Sequence, residues 1–404
     1  MRVLLLNHYA GSPEMGMEFR PYYLSHEWVE MGNEVRIIAG DYSHLRRENP
    51  TVKSDFQHEL IDGVNYYWLK TGKYNGNGVK RALSMLRYVS KLFLSAKKIA
   101  KWKPDVVIAS STYPLDTYAA QRIAKLVGAK YIHEVHDMWP ATLYEVGGMS
   151  KRHPFVILMQ IAENSAYKHC DKLVSLLPYA KEYMVKHGLS PEKFVNIQNG
   201  VVEEEWKSDI KIPEEHERFF EKIKDKFVVG YFGGHALSNA LDLLLDTAAK
   251  MKNKEIVFVL VGEGIEKERL MERARNEKIE NVVFLSSVEK KAIPDLVQHF
   301  DCSIMLGKQS PLYKYGLCLN KMFDSMMAGK PVVCGIDAPD TLIDIYRCGI
   351  SVNPSNINNI VEAITDICEM TEAQRVCMGE RGRQAVLQHF TYKKLAKQFL
   401  EVFE

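Results

Sequence analysis

The chain has 404 residues, which is more than one compact core usually holds, so we expect two domains. Hydrophobic residues make up 46% and charged residues 26% of the chain, which excludes an intrinsically disordered protein. No apolar stretch approaches the roughly 18 residues that cross a bilayer. The seven cysteines form no CxxC pair, and this pattern favours reduced thiols in the cytoplasm over disulfides or a zinc site.

Positive charge is concentrated in the first half of the chain. Residues 1–200 carry a net charge of +7 and the rest carry −5, and the segment from Lys70 to Lys103 holds ten basic residues and no acidic one. Within it, Val79–Trp102 places apolar residues at helical spacing. Such a helix either contacts an anionic membrane surface or packs on a sheet with its charges in water, and the sequence leaves both open. Aromatic residues do not alternate with these charges as a nucleic-acid platform would require.

Short apolar segments alternate with helical patterns along the chain. The strands predicted in the first half are Val3–Asn7, Val35–Ala39, Val64–Leu69, Asp105–Ala109, Tyr131–Val135, Leu173–Leu177 and Val195–Gln198. Those in the second half are Phe227–Phe232, Ile256–Val261, Val282–Leu285, Cys302–Met305 and Val332–Cys334. The predicted helices are Phe19–Met31, Asp116–Val127, Phe155–His169, Leu241–Met251, Glu266–Glu277 and Lys290–Phe300.

This alternation predicts an α/β protein with two doubly wound, parallel-sheet domains facing each other across a cleft. We expect a first domain over residues 1–205, a linker over 206–225 and a second domain over 226–385. A C-terminal helix over 386–404 should pack back towards the first domain. Ligands of such sheets bind beyond the carboxyl ends of the strands, so the loops that follow strands hold the candidate sites.

Two such loops stand out in the first half. The loop after the first strand contains Gly11 and Gly16 and leads into a helix that carries Arg20. It matches neither a dinucleotide fingerprint nor a P-loop, although its glycines can bring backbone N–H groups close to a ligand. The loop after the fifth strand begins with His136 and Asp137 and continues into Trp-Pro. We predict that this polar pair contacts a ligand and is catalytic, rather than serving the fold alone.

The second half carries three ligand-competent loops. Gly233 and Gly234 follow its first strand, and Glu263 lies between two glycines after the next strand. The segment YGLCLNKMFDSMMAGKP, residues 315–331, places Asn320 and Lys321 at a helix start and Asp324 one turn later. A helix N-terminus attracts a diphosphate, and a carboxylate one turn in can accept hydrogen bonds from two sugar hydroxyls. These features predict a nucleotide-sugar pocket.

With these motifs the sequence resembles the retaining GT-B glycosyltransferases of family 4, in particular bacterial surface-polysaccharide and glycolipid enzymes with a D-x-W-P loop and an N-K-x-x-D helix. The resemblance covers nearly the whole chain and rests on Gly11–Arg20, His136–Pro140, Asn199–Val201, Gly262–Gly264, Asn281–Phe284 and Asn320–Val333. It implies that Asp324 holds the ribose and that Asn320 and Lys321 bind the donor diphosphate. It further implies that the Gly16 loop meets the phosphates or the acceptor and that His136 approaches the donor sugar.

The sequence departs from the family pattern at two places. Gly316 stands where the first glutamate of the family's E-x7-E motif is expected, so the usual contact to the donor sugar is missing or supplied otherwise. Asn239-Ala240 stands where many relatives carry a cation followed by glycine, and Lys321, Arg20 or Lys308 are the candidates to replace that charge.

The resemblance implies a retaining transferase, and we expect it to use a UDP-sugar as co-substrate. Because the chain contains no Asp-x-Asp pair, we expect transfer without a metal ion. The expected acceptor is a sugar or a polyprenyl-diphosphate-linked sugar. The expected location is the cytoplasm, peripheral on the inner face of the plasma membrane if the basic helix binds lipid. A UDP-sugar 2-epimerase of the same architecture and a non-catalytic nucleotide-sugar-binding protein are the alternatives.

Overall fold

The computed structural model describes residues 1–16, 19–76, 78–251 and 255–403, and its chain forms two compact units. The first unit comprises Met1–Gln198 together with Tyr392–Glu404, and the second comprises Asn199–Thr391. The division therefore falls at Gln198, seven residues before the boundary that we expected at 205. Residues 206–225, which we expected to be a linker, belong to the second unit.

The first unit is built on one sheet, in which the described residues form eight strands in the order β3-β4-β2-β1-β5-β6-β7-β8. The strands are β1 Arg2–Leu6, β2 Glu34–Gly40, β3 Gln57–Ile61, β4 Val64–Leu69, β5 Val106–Ala109, β6 Lys130–Val135, β7 Lys172–Ser175 and β8 Phe194–Asn196. Every neighbouring pair is parallel except β3 and β4.

The expectation of an all-parallel sheet is wrong at this edge, because β3 forms an antiparallel hairpin with β4. Residues 57–59 are Gln-His-Glu, too polar for a buried strand, and they lie at the sheet edge. The dipeptide Asp62-Gly63, with φ of 44° and 79°, forms the connecting turn and was the signal that sequence reasoning overlooked.

The helices of the first unit are α1 Phe19–Glu30, α2 Val79–Leu94, α3 Ala96–Ala100, α4 Thr117–Val127, α5 Ala141–Glu145, α6 Pro154–His169 and α7 Lys181–Lys186. The C-terminal helix Tyr392–Phe403 also belongs to this unit and packs on α1. There the Trp28 indole N–H donates to the Ala396 carbonyl at 3.0 Å, and its ring lies 5.3 Å from the ring of Phe399.

The predicted helix Val79–Trp102 is interrupted, and part of its apolar pattern faces solvent. It ends at Leu94 and resumes as α3 at Ala96. Its buried side chains are Ser84, Met85, Tyr88 and Leu92. Val79, Leu83 and Leu86, which belong to the predicted helical pattern, are exposed by 77%, 45% and 40%, and Leu94, which does not belong to it, is exposed by 79%.

In the second unit the described residues form a wholly parallel sheet of six strands in the order β11-β10-β9-β12-β13-β14. The strands are β9 Phe227–Phe232, β10 Ile256–Val261, β11 Val282–Leu285, β12 Cys302–Leu306, β13 Val332–Gly335 and β14 Gly349–Ser351. The helices are α8 Glu214–Lys222, α9 Leu241–Lys250, α10 Lys267–Asn276, α11 Ile293–Leu296, α12 Asn320–Met327, α13 Leu342–Ile345, α14 Ile357–Glu369 and α15 Glu372–His389.

Two segments of this unit differ from their predictions. Phe220 of α8 is buried in the core, so the segment expected as a linker is part of the packed domain. The predicted helix Lys290–Phe300 is three short turns, because Pro294 can start a helix but cannot continue one, and only Ile293–Leu296 is α-helical.

The central strands of both sheets, among them β1, β5, β9 and β12, are largely buried and apolar, as sheets covered on both faces require. In each unit the parallel strands end at one edge, so the loops after β1, β5 and β6 gather in the first unit and those after β9, β10 and β12 gather in the second.

Candidate functional site

The start of α12 is open for an anion. The helix begins at Asn320, and the residue before it, Leu319, has no side chain that could cap the first turn. Asn320 itself is exposed. Backbone N–H groups at an uncapped helix start carry partial positive charge and bind phosphate readily.

Lys321 adds a full positive charge beside this helix start. Its Nζ donates to Oδ1 of Asn239 at 2.8 Å and lies 4.9 Å from the ring centre of Tyr231, at the end of β9. Burial lowers the pKa of Lys321 to about 8. An anion beside Nζ would offset the cost of burying this charge.

The structure distinguishes the three candidates for the cation missing at Asn239. Lys321 contacts Asn239 directly. Lys308 reaches the same loop through its backbone, where its N–H donates to the Ser238 carbonyl at 3.0 Å. Arg20 is a buried residue of the first unit that pairs with a carboxylate there. Of the three candidates, Lys321 is therefore the one whose side chain contacts Asn239, and its replacement of the missing cation stays a prediction.

Asp324 lies one turn into α12. Its carboxylate has no hydrogen-bond or ion-pair partner among the residues that the structure describes, although the side chain is half-buried. Burial raises the pKa of Asp324 to about 6, opposed by Lys290 and reinforced by Glu205. Lys290 and Glu205 themselves form an ion pair at 3.0 Å. A half-buried carboxylate without a protein partner is suited to accept hydrogen bonds from a ligand.

The geometry of Gly316 explains the missing glutamate. Gly316 is buried, with φ 95° and ψ 177°, a conformation that only glycine adopts at little cost. A glutamate at this position would strain the loop before α12. The backbone conformation at position 316 therefore favours glycine over the glutamate of the family motif.

The glycine pairs after β9 and β10 join two loops. The N–H of Gly233 donates to the Val261 carbonyl at 3.0 Å, and the N–H of His235 donates to the Glu263 carbonyl at 2.8 Å. A side chain at Gly262 would collide with the Gly233 carbonyl. Packing alone thus accounts for this glycine, and a role of Gly233, Gly234 and Glu263 in donor binding stays a prediction.

The carboxylate of Glu263 is exposed and is held within its own loop. Lys267 Nζ donates to it at 2.7 Å, and this hydrogen bond lowers the pKa of Glu263. The same ammonium group also donates to the Gly262 carbonyl at 2.9 Å.

In the first unit, His136 lies at the end of β6 within a buried polar cluster. Its Nε2 lies 2.9 Å from Ser110 Oγ and 3.1 Å from Glu134 Oε2. Ser110 follows β5, the strand beside β6, and Glu134 is on β6 itself. The His136 ring is 11% exposed, so it can be reached from solvent.

Asp137 shapes its own loop. Its Oδ1 accepts the Met138 N–H at 2.8 Å and the Thr142 hydroxyl at 3.0 Å. These bonds fix the turn into α5. A catalytic role of Asp137 stays a prediction, and a structural role is visible.

Arg20 has a different environment from the one predicted. It is 5% exposed, pairs with Glu134 at 2.9 Å, and donates to the carbonyls of Gln198 and Ile197 at 2.6 and 3.0 Å. Its guanidinium thus lies inside the unit and ties α1 to β6 and to the end of β8. Direct phosphate binding by Arg20 would require these bonds to break.

The loop after β1 is held by its neighbours. The Gly11 carbonyl accepts the Tyr66 hydroxyl at 2.7 Å, and the Gly16 N–H donates to the Ser12 carbonyl at 3.2 Å. The contact of this loop with phosphate or acceptor stays a prediction.

Sequence reasoning missed several polar residues of these clusters. Glu134 is a charged residue inside an apolar strand, two residues before His136 and therefore on the same strand face. Ser110 directly follows an apolar strand, which is the signal used for His136 itself. Lys290 and Glu205 carry no comparable signal, because only the folded chain brings them near Asp324.

No helix within the described parts of the chain is long and apolar enough to cross a bilayer. Across the same residues, no three His, Cys, Asp or Glu side chains are grouped as metal ligands.

Two family models match the chain, one in each unit. The model described as a glycosyl transferase 4-like domain matches residues 15–200, and the one described as glycosyl transferases group 1 matches residues 226–370.

Two proteins of similar sequence are named as glycosyltransferases. An uncharacterized glycosyltransferase of Methanocaldococcus jannaschii is 24% identical over 240 residues, which are 59% of each chain. A putative colanic acid biosynthesis glycosyl transferase of Escherichia coli K12, WcaI, is 20% identical over 296 residues, covering 70% of this chain and 71% of that one.

HepE of Anabaena, solved in complex with UDP and glucose, superposes with a TM-score of 0.66 at 15% identity, over 99% of this chain and 98% of that one. This likeness shows the fold. From its two matched domains and its architecture, the chain belongs to the glycosyltransferases of the GT-B fold, of the family 4 type.

Proposed function

We propose that the protein transfers a hexose or N-acetylhexosamine-type sugar from a UDP-sugar to a sugar or polyprenyl-diphosphate-linked acceptor in polysaccharide or glycolipid assembly. The observation that carries this proposal is the arrangement on α12: an uncapped start, the Lys321 ammonium beside it, and the unpartnered Asp324 carboxylate one turn later. The names of HepE, solved with UDP and glucose, and of the colanic acid relative support the donor and the pathway class.

In this proposal the donor lies along the first turn of α12. The diphosphate accepts hydrogen bonds from the helix amides and from Lys321 Nζ, and charge-assisted bonds of this kind are among the strongest in proteins. The two ribose hydroxyls donate to Asp324. Cleavage of the bond between sugar and diphosphate adds negative charge to the UDP leaving group, which the amides and Lys321 stabilise more strongly than they stabilise the ground state.

We propose that transfer retains the anomeric configuration and needs no metal ion, because Lys321 and the helix amides supply positive charge to the leaving group. The departing phosphate oxygen takes the proton of the acceptor hydroxyl as that hydroxyl attacks the same face of the sugar. His136 accepts or donates a hydrogen bond at the donor sugar. No covalent enzyme intermediate is required.

The test is a transfer assay with a panel of UDP-sugars and a bacterial lipid extract, read by mass spectrometry. We expect one donor to give a glycosylated product, with Asp324→Ala reducing the rate and Asp366→Ala, an exposed aspartate of α14, leaving it unchanged. The anomeric configuration of the product, read by NMR, tests retention, and undiminished turnover in excess chelator tests metal independence.

Gly316 gives specific support to a non-catalytic binding protein, since its backbone cannot hold the missing glutamate without strain. Saturable UDP binding without product from any donor would favour that function. Isomerisation of a UDP-sugar without acceptor would favour the epimerase instead.

The exposed face of α2 and α3 supports a further part of the proposal, contact with an anionic membrane surface. Val79, Leu83, Leu86 and Leu94 recur at helical spacing on the solvent side. Exposed basic residues adjoin them, and no acidic residue occurs between Lys70 and Lys103. An apolar stripe bordered by positive charge fits the surface of an anionic bilayer.

Liposome co-sedimentation tests the membrane contact. Reversing the charge of Lys91, Lys98 and Lys101 should weaken binding to anionic vesicles, although Lys91 already pairs with Asp55 at 2.7 Å and contributes less. Leu83→Ser should weaken it as well, and UDP affinity should not change. Lys168→Glu, an exposed lysine of α6, is the matched control. Unchanged vesicle binding in the first two variants would contradict the membrane contact.

A further inference from the structure

Glu134 is a buried carboxylate that contacts both Arg20 of α1 and His136 of the candidate site. It is 1% exposed. Its Oε1 accepts from Arg20 at 2.9 Å, and its Oε2 accepts from the Ser110 hydroxyl at 2.6 Å and lies 3.1 Å from His136 Nε2. One oxygen thus belongs to the ion pair with α1, and the other belongs to the His136 cluster.

This arrangement determines which nitrogen of His136 carries hydrogen. Both partners of Nε2 can only accept from it: Glu134 is a carboxylate, and the Ser110 hydroxyl already donates its single proton to Glu134. Nε2 must therefore be the N–H donor. Burial alone would raise the pKa of Glu134, but the Arg20 charge and the hydrogen bonds from His136 and Ser110 hold it well below its usual range, which keeps this group an acceptor.

The other ring nitrogen, Nδ1, has no hydrogen bond to the residues described in the structure, and the ring is partly exposed. In the neutral imidazole with hydrogen on Nε2, Nδ1 carries a lone pair. Such a nitrogen accepts a hydrogen bond from a hydroxyl group and does not donate one.

We propose that Glu134 and Ser110 are positioning residues that hold His136 as the Nε2–H tautomer, so that Nδ1 accepts a hydrogen bond from a sugar hydroxyl. The inference rests on the proposed transferase function, and it names the substrate group that His136 recognises. Arg20 supports the arrangement by fixing Glu134, while its other N–H groups donate to Ile197 and Gln198.

Nitrogen NMR of protein labelled with ¹⁵N-histidine tests the tautomer without any activity. The His136 signals are assigned by their loss in His136→Asn. We expect the correlation pattern of an Nε2–H imidazole at a pH where the ring is neutral. An Nδ1–H pattern in the unchanged protein would overturn the proposal, whether or not the protein transfers sugar.

Variants extend the tautomer test. Glu134→Gln should move His136 towards a mixture of tautomers, because an amide can donate to Nε2 as well as accept from it. Ser110→Ala leaves the Glu134 carboxylate as acceptor and should keep the Nε2–H form. Glu163→Gln is the matched control, because Glu163 is an equally buried carboxylate of the same unit whose partners are Gln160, Tyr167 and Tyr183. A tautomer unchanged in Glu134→Gln, or lost in Ser110→Ala, would also overturn the role given to Glu134.

A kinetic cycle separates positioning from general damage to the fold. Glu134→Gln should lower kcat by about 10- to 100-fold and leave the donor KM almost unchanged. This loss is smaller than the about 100- to 10,000-fold that a direct acid–base group typically contributes. In the His136→Asn background the same change should have little further effect. An equal loss of kcat in both backgrounds would mean that Glu134 acts independently of His136. Absence of transfer by the unchanged protein would contradict the proposed function instead.

Discussion

Replacing Asp324 with asparagine should make the protein more stable and its UDP binding weaker. The half-buried Asp324 carboxylate has no partner in the described structure, and burial raises its pKa from 3.8 to about 6. Each pKa unit corresponds to about 1.4 kcal/mol, so the full shift would cost the folded state about 3 kcal/mol. Because the side chain is partly exposed, we expect a gain of about 1 to 2 kcal/mol on removing the charge.

The gain should depend on pH in a defined direction. The folded pKa lies above the unfolded value, so the folded protein holds this proton longer, and the wild type loses stability as pH rises from about 4 to about 6. The advantage of Asp324→Asn should therefore be complete above about pH 7 and vanish below about pH 4. In scanning calorimetry it should raise the Tm by about 2 to 6 °C at neutral pH.

Binding should change in the opposite direction. Hydrogen bonds to a charged group contribute about 1.5 to 3 kcal/mol, so the loss should weaken the Kd for UDP by about 10- to 100-fold in titration calorimetry. Asp366→Asn, at an exposed aspartate, should change neither Tm nor Kd. Unchanged UDP affinity would refute the assignment of Asp324 to the ribose, and lower stability of the variant at neutral pH would refute the cost assigned to burying its charge.

Lys321→Met should weaken UDP binding by about 10-fold or more and affect uridine binding little, because the lysine contacts the diphosphate. Equal losses of affinity for UDP and uridine in calorimetry would contradict this contact. Since burial lowers the pKa of Lys321 to about 8 and a bound phosphate raises it, UDP binding above that pH should take up protons, measured as a dependence of the binding enthalpy on the buffer. Ala240→Gly should raise the Tm slightly, because Ala240 has a φ of 47°, a backbone conformation that costs an L-residue about 1 kcal/mol. A lower Tm would contradict this and would show that packing of the alanine side chain outweighs the strain. Gly316→Glu should lower the Tm and should not raise activity, and a faster enzyme would contradict the strain assigned to φ 95°.

The fold class was predictable from the sequence because buried parallel strands leave a strong signal. Runs such as Val106–Ala109 and Ile256–Val261 are apolar and β-branched and are separated by amphipathic helices, and the predicted GT-B architecture is confirmed. The polar edge strand Gln57–Ile61 lacks that signal and was missed. The orientation of α2 stayed open in the sequence, because apolar spacing shows a face but not whether that face meets the core or the solvent.

The candidate site was predictable where chemistry lies within one segment and not where separate segments meet. Asn320, Lys321 and Asp324 share eight residues of helix, so their common face follows from helical geometry. The contact of Lys321 with Asn239 joins residues 82 positions apart, and that of Glu134 with Arg20 joins residues 114 apart. Neither pairing leaves a trace in a single sequence. The ligand roles themselves stay predictions.

The most direct measurement is the distance between the Asp324 carboxylate and the ribose hydroxyls in a structure of the protein with bound UDP. We predict two hydrogen bonds of about 2.6 to 3.0 Å from the hydroxyls, with the diphosphate on the first turn of α12 and Lys321 Nζ within hydrogen-bond distance of it. A UDP molecule bound elsewhere, or with its ribose away from Asp324, would contradict the proposed donor site.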